Sequence, residues 1–180
     1  MNLKNVNLKS LRAYKSKLKE LKTWVQVRSP KPLQSALSYT LDWLSPELLG
    51  SGFRMIEVSD FSMKGLIPKN SSNLDSNGEI HQGLVLNASL ELSRTCIDRH
   101  LPENLYQITS SDVQISKKQK WGDEITLNLN SSESVFDHFF SELQSNKKTT
   151  IEFKIQVQSD SKKMDLISIK LTCDATNLLT

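Results

Sequence analysis

Hydrophobic positions change rhythm several times along this chain, and each change predicts a different element. Leu11, Tyr14, Leu18, Leu21 and Val25 recur at helical spacing with lysines between them, which predicts an amphipathic helix near the N-terminus. Ser29-Pro30-Lys31-Pro32 ends it, because each proline removes a backbone donor and turns its predecessor away from helical angles. Leu33, Leu37, Leu41 and Leu44 predict a second, short helix before Ser45-Pro46 and the Gly50-Ser51-Gly52 turn. From Phe53 onward the period falls to two. Met55 to Val58, then Phe61, Met63 and Ile67, predict a hairpin or one long bent strand. After a polar loop from Asn70 to Gly78, the stretch from Gly83 to Ile97 predicts a mostly buried helix that runs to about His100 and stops at Leu101-Pro102.

The remaining pattern is dominated by strands. Ile108 to Ile115 predicts one, and the alternating Ile125, Leu127 and Leu129 predict the next, with Trp121-Gly122-Asp123 as the turn joining them into a hairpin. Residues 133–145 break the strand rhythm and predict a short Phe-rich helix with Ser132 or Ser134 as its N-cap. Ile151, Phe153, Ile155 and Val157 alternate with polar residues, as do Ile167, Ile169, Leu171 and Cys173, and Ser159 to Lys163 forms the turn between them. The expected division is a basic helical extension over residues 1–52 and one domain over 53–180.

Composition narrows the function classes. With 37% hydrophobic residues in 180, the chain has material for one sizeable core. It contains no apolar run long enough to span a membrane and no apolar signal core at its start. Cys96 and Cys173 lie on apolar faces without CxxC spacing or nearby histidines, so they are expected to be reduced core residues of a cytoplasmic protein. The net charge of +3 hides an asymmetry: residues 1–31 carry nine of the 23 basic residues but one of the 20 acidic ones, leaving a mildly acidic body. The arm is expected to pack on its own domain or a sister subunit, with a membrane surface or nucleic acid as the alternative partner. Gly-x-Ser-x-Gly, a phosphate-binding glycine loop and a zinc constellation are all missing, and no cofactor is expected.

The segment Leu74-Asp75-Ser76-Asn77-Gly78-Glu79-Ile80-His81-Gln82-Gly83 is the candidate site. A helix leaves its first N–H groups without intrahelical acceptors, and here those groups follow a polar turn that carries Asp75. Backbone donors beside a carboxylate suit acyl chemistry, where negative charge develops on a carbonyl oxygen.

One buried helix followed by a run of antiparallel strands describes an α+β fold, a curved sheet wrapped around a single central helix, which is the hotdog arrangement. The turn from Asp75 to Gly83 resembles the Asp-x-x-Gly-x-hydrophobic approach to the central helix of the 4-hydroxybenzoyl-CoA thioesterase group. The stretch Val113-Gln114-Ile115 to Trp121-Gly122-Asp123-Glu124-Ile125 resembles a hairpin in the same enzymes. The likeness spans roughly residues 53–175 and implies acyl-thioester hydrolysis. Asp75 is then nucleophile or base, and the N–H of Gln82 or Gly83 holds the oxyanion. Gly78, His81 and Gly83 also match the Gly-x-x-His-x-Gly of the phenylacetate-pathway type. That type carries an acid where Leu90 stands here, with Glu91 next to it, and keeps Asn where Asp75 stands. A hotdog dehydratase would need a helix glutamate where Ala88 is, which disfavours that activity.

On the same resemblance, Asn77, Gly78, Asn87 and Glu91 are candidate substrate contacts. Lys117, Lys118, Lys120 and Trp121 would suit the phosphates and adenine of coenzyme A, or an acidic carrier-protein surface. A homodimer or higher homo-oligomer is expected, because a lone curved sheet leaves edges and a helix face to cover. Ordinary roles stand beside each of these. Asp75 and Asn77 are common turn formers, and His81, the second catalytic candidate as an acid–base group, equally suits a cap or a subunit interface. Asn87 suits a buried backbone group, Glu91 a surface pair with Arg94, and the lysines a solvated turn. The Phe-rich helix is expected to cover an acyl tunnel or extend a dimer interface. A non-catalytic hotdog module that binds an acyl thioester, or serves as an assembly subunit, is the rival reading.

Overall fold

The computed structural model describes residue 48 and residues 50–101, 106–117, 120–159 and 164–175. The two expected N-terminal helices, Lys118 and the turn residues 160–163 lie outside the described residues. Six strands form one antiparallel sheet in the order β1-β2-β4-β5-β6-β3. They are β1 (Arg54–Val58), β2 (Ser62–Ile67), β3 (Gln107–Ser116), β4 (Ile125–Asn130), β5 (Lys148–Gln158) and β6 (Met164–Asp174). Helix α1 (Gln82–Asp98) lies between β2 and β3 in the chain, and α2 (Glu133–Asn146) between β4 and β5.

The period-two segments become strands because alternation places every second side chain on one face. On β5, Thr149, Ile151, Phe153, Ile155 and Val157 are buried while their neighbours point to solvent, and β6 buries Ile167, Ile169, Leu171 and Cys173 in the same way. The two strands pair along their whole length, from Lys148 opposite Asp174 to Gln158 opposite Met164. The first strands resolve into a hairpin, β1 with β2, carrying a bulge between Met55 and Glu57. Gly65 is required in β2, since a Cβ there would lie 2.7 Å from Cε2 of Phe53 and 3.3 Å from Cδ1 of Leu92. Helix α1 turns Val85, Ala88, Leu92 and Cys96 into the sheet, all of them fully buried at helical spacing. Cys96 and Cys173 are free and buried, and burial pushes their thiols up to about 12 and about 11.

One expectation needs correction. The segment from Val113 to Ile125 is not a hairpin: β3 pairs with β6 at the far edge of the sheet, and the chain then crosses back to place β4 between β2 and β5. Residues Ser110 to Asp112 carry little apolar surface because β3 is an edge strand, bulged between Ser110 and Asp112. The Phe-rich stretch forms helix α2. Its Phe136 packs on Phe61, Phe153 and His100, at ring-centroid distances of 5.6, 6.2 and 4.4 Å. His100 follows the last turn of α1, so α2 caps the C-terminal end of a 17-residue helix about 25 Å long. Its Ser132 N-cap makes no side-chain capping bond. Among the described residues no helix is long and apolar enough to cross a membrane.

Candidate active site

The turn ahead of α1 is held by its own carboxylate. Asp75 Oδ1 accepts the N–H of Asn77 at 2.8 Å and of Glu79 at 3.1 Å. The Asp75 N–H donates to the Glu79 carbonyl at 2.8 Å, the Gly78 N–H donates to the Asp75 carbonyl at 3.0 Å, and Leu74 bridges to Ile80. Gly78 sits at φ 73°, a left-handed conformation for which glycine carries no Cβ penalty. The two amides hold the Asp75 carboxyl below its ordinary value, Glu79 contributing most, so it is ionised at neutral pH.

Immediately beyond the turn, His81 is the N-cap of α1. Its Nδ1 accepts the N–H of Gly83 at 3.1 Å. Gly83 suits this approach because a Cβ there would lie 3.1 Å from both Cε1 and Nδ1 of His81. Of the two amides expected to face a carbonyl, that of Gly83 is therefore occupied within the chain. That of Gln82, at the first helical position, has no intrahelical acceptor.

A cavity of about 390 Å³ opens at this helix start, lined by His81, Gly83 and Asn87 together with Gly50, Ser51, Ser72, Asn73 and Leu84. Of the residues singled out in the sequence, His81, Gly83 and Asn87 are thus brought together. Asp75, Asn77 and Gly78 form the adjoining turn rather than the lining. With successive residues 100° apart, Glu91 continues the stripe of Leu84 and Asn87 one turn further along, and Leu90 falls on the stripe of Gly83. Both are half-buried.

Ser51, Ser72 and Asn73 have the look of ordinary loop residues in the sequence, yet they build the opposite wall. Asn73 is 2% exposed and donates from Nδ2 to the carbonyls of Ser51 and Pro68, each at 2.7 Å, while its own carbonyl accepts the N–H of His81. Asn70 Nδ2 reaches the same Ser51 carbonyl at 3.1 Å, and Ser72 Oγ donates to Asn70 Oδ1 at 2.7 Å. The sequence signal for this wall is the run Asn70-Ser71-Ser72-Asn73, dense in side chains that bond to nearby backbone.

Lys117, Lys120 and Trp121 part company. Trp121 is fully buried and donates from Nε1 to Asp165 Oδ2 at 2.7 Å, which corrects its expected contact with an adenine ring. Lys117 is bound within the chain, 2.6 Å from Glu79 Oε2 and 4.7 Å above the Trp121 ring, and this pairing lowers the Glu79 pKa. Lys120 is exposed. A second hollow of about 340 Å³, lined by Ser134, Val135, His138, Phe139, Thr150, Ile151 and Glu152, lies beside α2 and shares no residue with the first. Among the described residues no group of three or more His, Cys, Asp or Glu is placed to hold a metal ion.

No protein-family model matches the chain, and no curated protein matches it in sequence. Solved structures do. PA5026 of Pseudomonas aeruginosa, a protein of unknown function and probable thioesterase, superposes with a TM-score of 0.67 at 9% identity, over 82% of this chain and 97% of its own. A mutant of the thioesterase PA1618 from the same organism gives 0.58 at 14% identity, over 76% and 93%. The thioesterase HI1161 of Haemophilus influenzae gives 0.58 at 11%, over 79% and 92%. With one helix packed against its antiparallel sheet in this strand order, and with these structural neighbours, the chain has the hotdog fold.

Proposed function

We propose that this chain is an acyl-thioester hydrolase acting on acyl-CoA or acyl carrier protein thioesters. The observation that carries the reading is the cavity at the start of α1, which brings first-turn amides, His81 and Asn87 together next to the ionised Asp75 turn. In this mechanism a water attacks the thioester carbonyl carbon and passes its proton to Asp75 Oδ2, which lies outside the turn's own bonds. The developing oxyanion takes the N–H of Gln82, and that of Gly83 once His81 Nδ1 gives it up. The carbon–sulfur bond then breaks and the leaving thiolate takes the proton held on Asp75 Oδ2, which returns that carboxylate to its ionised form. Asn77, Gly78, Asn87, Glu91 and Lys120 are assigned to substrate contact, and His81 donates from Nε2. The protein acts in the cytoplasm as a homodimer that covers the β3 edge.

A second reading has its own support. Asp75 Oδ1 and the Gly83 N–H are both engaged within the chain, as in a module that binds a thioester without cleaving it.

The deciding experiment is free-thiol release from short, long and aromatic acyl-CoAs, with Asp75→Asn assayed beside the parent. Asparagine keeps an Oδ1 acceptor for both turn amides but no longer takes up a proton, so folding is retained and turnover is lost. Unchanged turnover in the variant removes Asp75 from the mechanism. Acyl-CoA binding without any turnover in the parent puts the binding module first.

A further inference from the structure

We infer that Trp121 is a positioning residue for the candidate site, bracing the turn ahead of α1 against a buried carboxylate on β6. Trp121 and Asp165 are 0% and 1% exposed, and the indole N–H reaches Asp165 Oδ2 at 2.7 Å across 44 residues of sequence. A buried carboxylate is costly unless donors surround it, so this bond resists exchange with any weaker arrangement. From the anchored ring two ties run to the site. The Trp121 carbonyl accepts the N–H of Ile80 at 2.6 Å, which fixes the residue directly before His81. Lys117, seated 4.7 Å over the ring face, holds the Glu79 carboxylate at 2.6 Å.

Ile80 and Glu79 are the positions through which such a brace reaches both sides of the site. Glu79 pairs backbone to backbone with Asp75 and donates to its Oδ1, while Ile80 leads into the His81 cap and the Gly83 N–H beneath it. A displacement of the ring therefore moves the carboxylate turn and the helix start together. This role deepens the hydrolase reading and rests on it for its catalytic consequence, but the brace itself is measurable without turnover.

The test compares full-length parent, Trp121→Phe, Lys117→Met and Lys117→Arg by residue-resolved amide hydrogen exchange and by thiol release. Phenylalanine fills most of the indole volume and removes only the ring donor. Exchange at Ile80 and His81 is expected to speed by about tenfold in Trp121→Phe, with amides of the β5–β6 ladder unchanged. Lys117→Met should speed the same amides, and Lys117→Arg should restore them. In turnover, kcat is expected to fall about tenfold with KM held within about twofold, the pattern of misplaced groups rather than lost binding. A folded Trp121→Phe with parental exchange at Ile80 and His81 overturns the proposal. Should Trp121→Phe not fold, parental exchange in Lys117→Met overturns it equally. If the parent hydrolyses no thioester, the hydrolase reading fails while the exchange comparison still decides the brace.

Discussion

Replacing Gly83 with alanine separates the architecture of the helix start from its chemistry. The new Cβ would lie 3.1 Å from Cε1 and Nδ1 of His81, a few tenths of an ångström inside ordinary contact at about 3.5–4.0 Å. His81 is exposed, so its ring can swing away at little cost, and the 3.1 Å bond from the Gly83 N–H goes with it. Losing an N-cap costs about 1 kcal/mol, and exchanging glycine for alanine in a helix returns about the same. The net change is expected within about 0.5 kcal/mol of zero, or roughly 2 °C in Tm for a chain of this size. Turnover should behave differently, because the methyl group occupies space in the cavity that Gly83 lines. A displacement of about 1 Å at a reacting carbonyl is worth up to about 10²-fold in rate. Thermal unfolding by circular dichroism and thiol release on the same preparation measure the two effects. A fall in Tm above about 5 °C would show that His81 supports far more than one helix end. Parental turnover at parental Tm would take Gly83 out of the site.

Two further expectations concern stability. Gly65→Ala forces a methyl to within 2.7 Å of the buried Phe53 ring; overpacking costs of about 1–3 kcal/mol exceed the backbone gain of about 0.5–1 kcal/mol, so Tm should fall by about 2–8 °C. A Tm at or above the parent's would refute the close approach. Asp60, Asp75 and Glu79 have pKa values lowered in the fold by Arg99, by the turn amides and by Lys117, against ordinary values of 3.8, 3.8 and 4.5. Each binds its proton more weakly folded than unfolded. Their stabilisation is complete above those ordinary values and is lost as pH falls through the lowered ones. Tm should hold from about pH 7 to about 5 and drop below about 4; a rise in Tm on acidification below about pH 4 would contradict the assigned directions.

What could be read from the sequence was local periodicity. Val157 and Ile167 announce paired strands because alternation, a short polar turn and adjacency in the chain all agree, and the structure pairs β5 with β6. The helix from Gly83 to Ile97 was legible for the same reason, through Val85, Ala88, Leu92 and Cys96. Partner choice was not legible. Val113 and Ile115 have the same alternation whether they meet β4 or β6, and only tertiary packing sends β3 to the far edge. Trp121 misleads because Lys117, Lys120, Gly122 and Asp123 around it have the composition of a solvated turn. Its burial depends on Asp165, a partner no short window contains. His81 shows the complementary difficulty: its place before the helix was clear, but whether it would present Nδ1 to Gly83 or to a ligand depends on the geometry of the turn.

The crossover between β3 and β4 also orders events during synthesis. β3 leaves the ribosome well before β6, the strand it pairs with, and Trp121 emerges 44 residues ahead of the carboxylate that anchors its ring. The turn carrying Asp75 and the start of α1 are thus made before β6, the strand whose Asp165 accepts the Trp121 indole N–H. A nascent or truncated chain lacking β6 has an unpaired ten-residue edge at β3 and an indole without its acceptor, so it holds the residues of the site without the arrangement. Local contacts close faster than long-range ones, and β5 with β6 is the local pair here while β3 with β6 is the long-range one. The bond from Trp121 to Asp165 accordingly ties the turn ahead of α1 to the last strand that the ribosome makes.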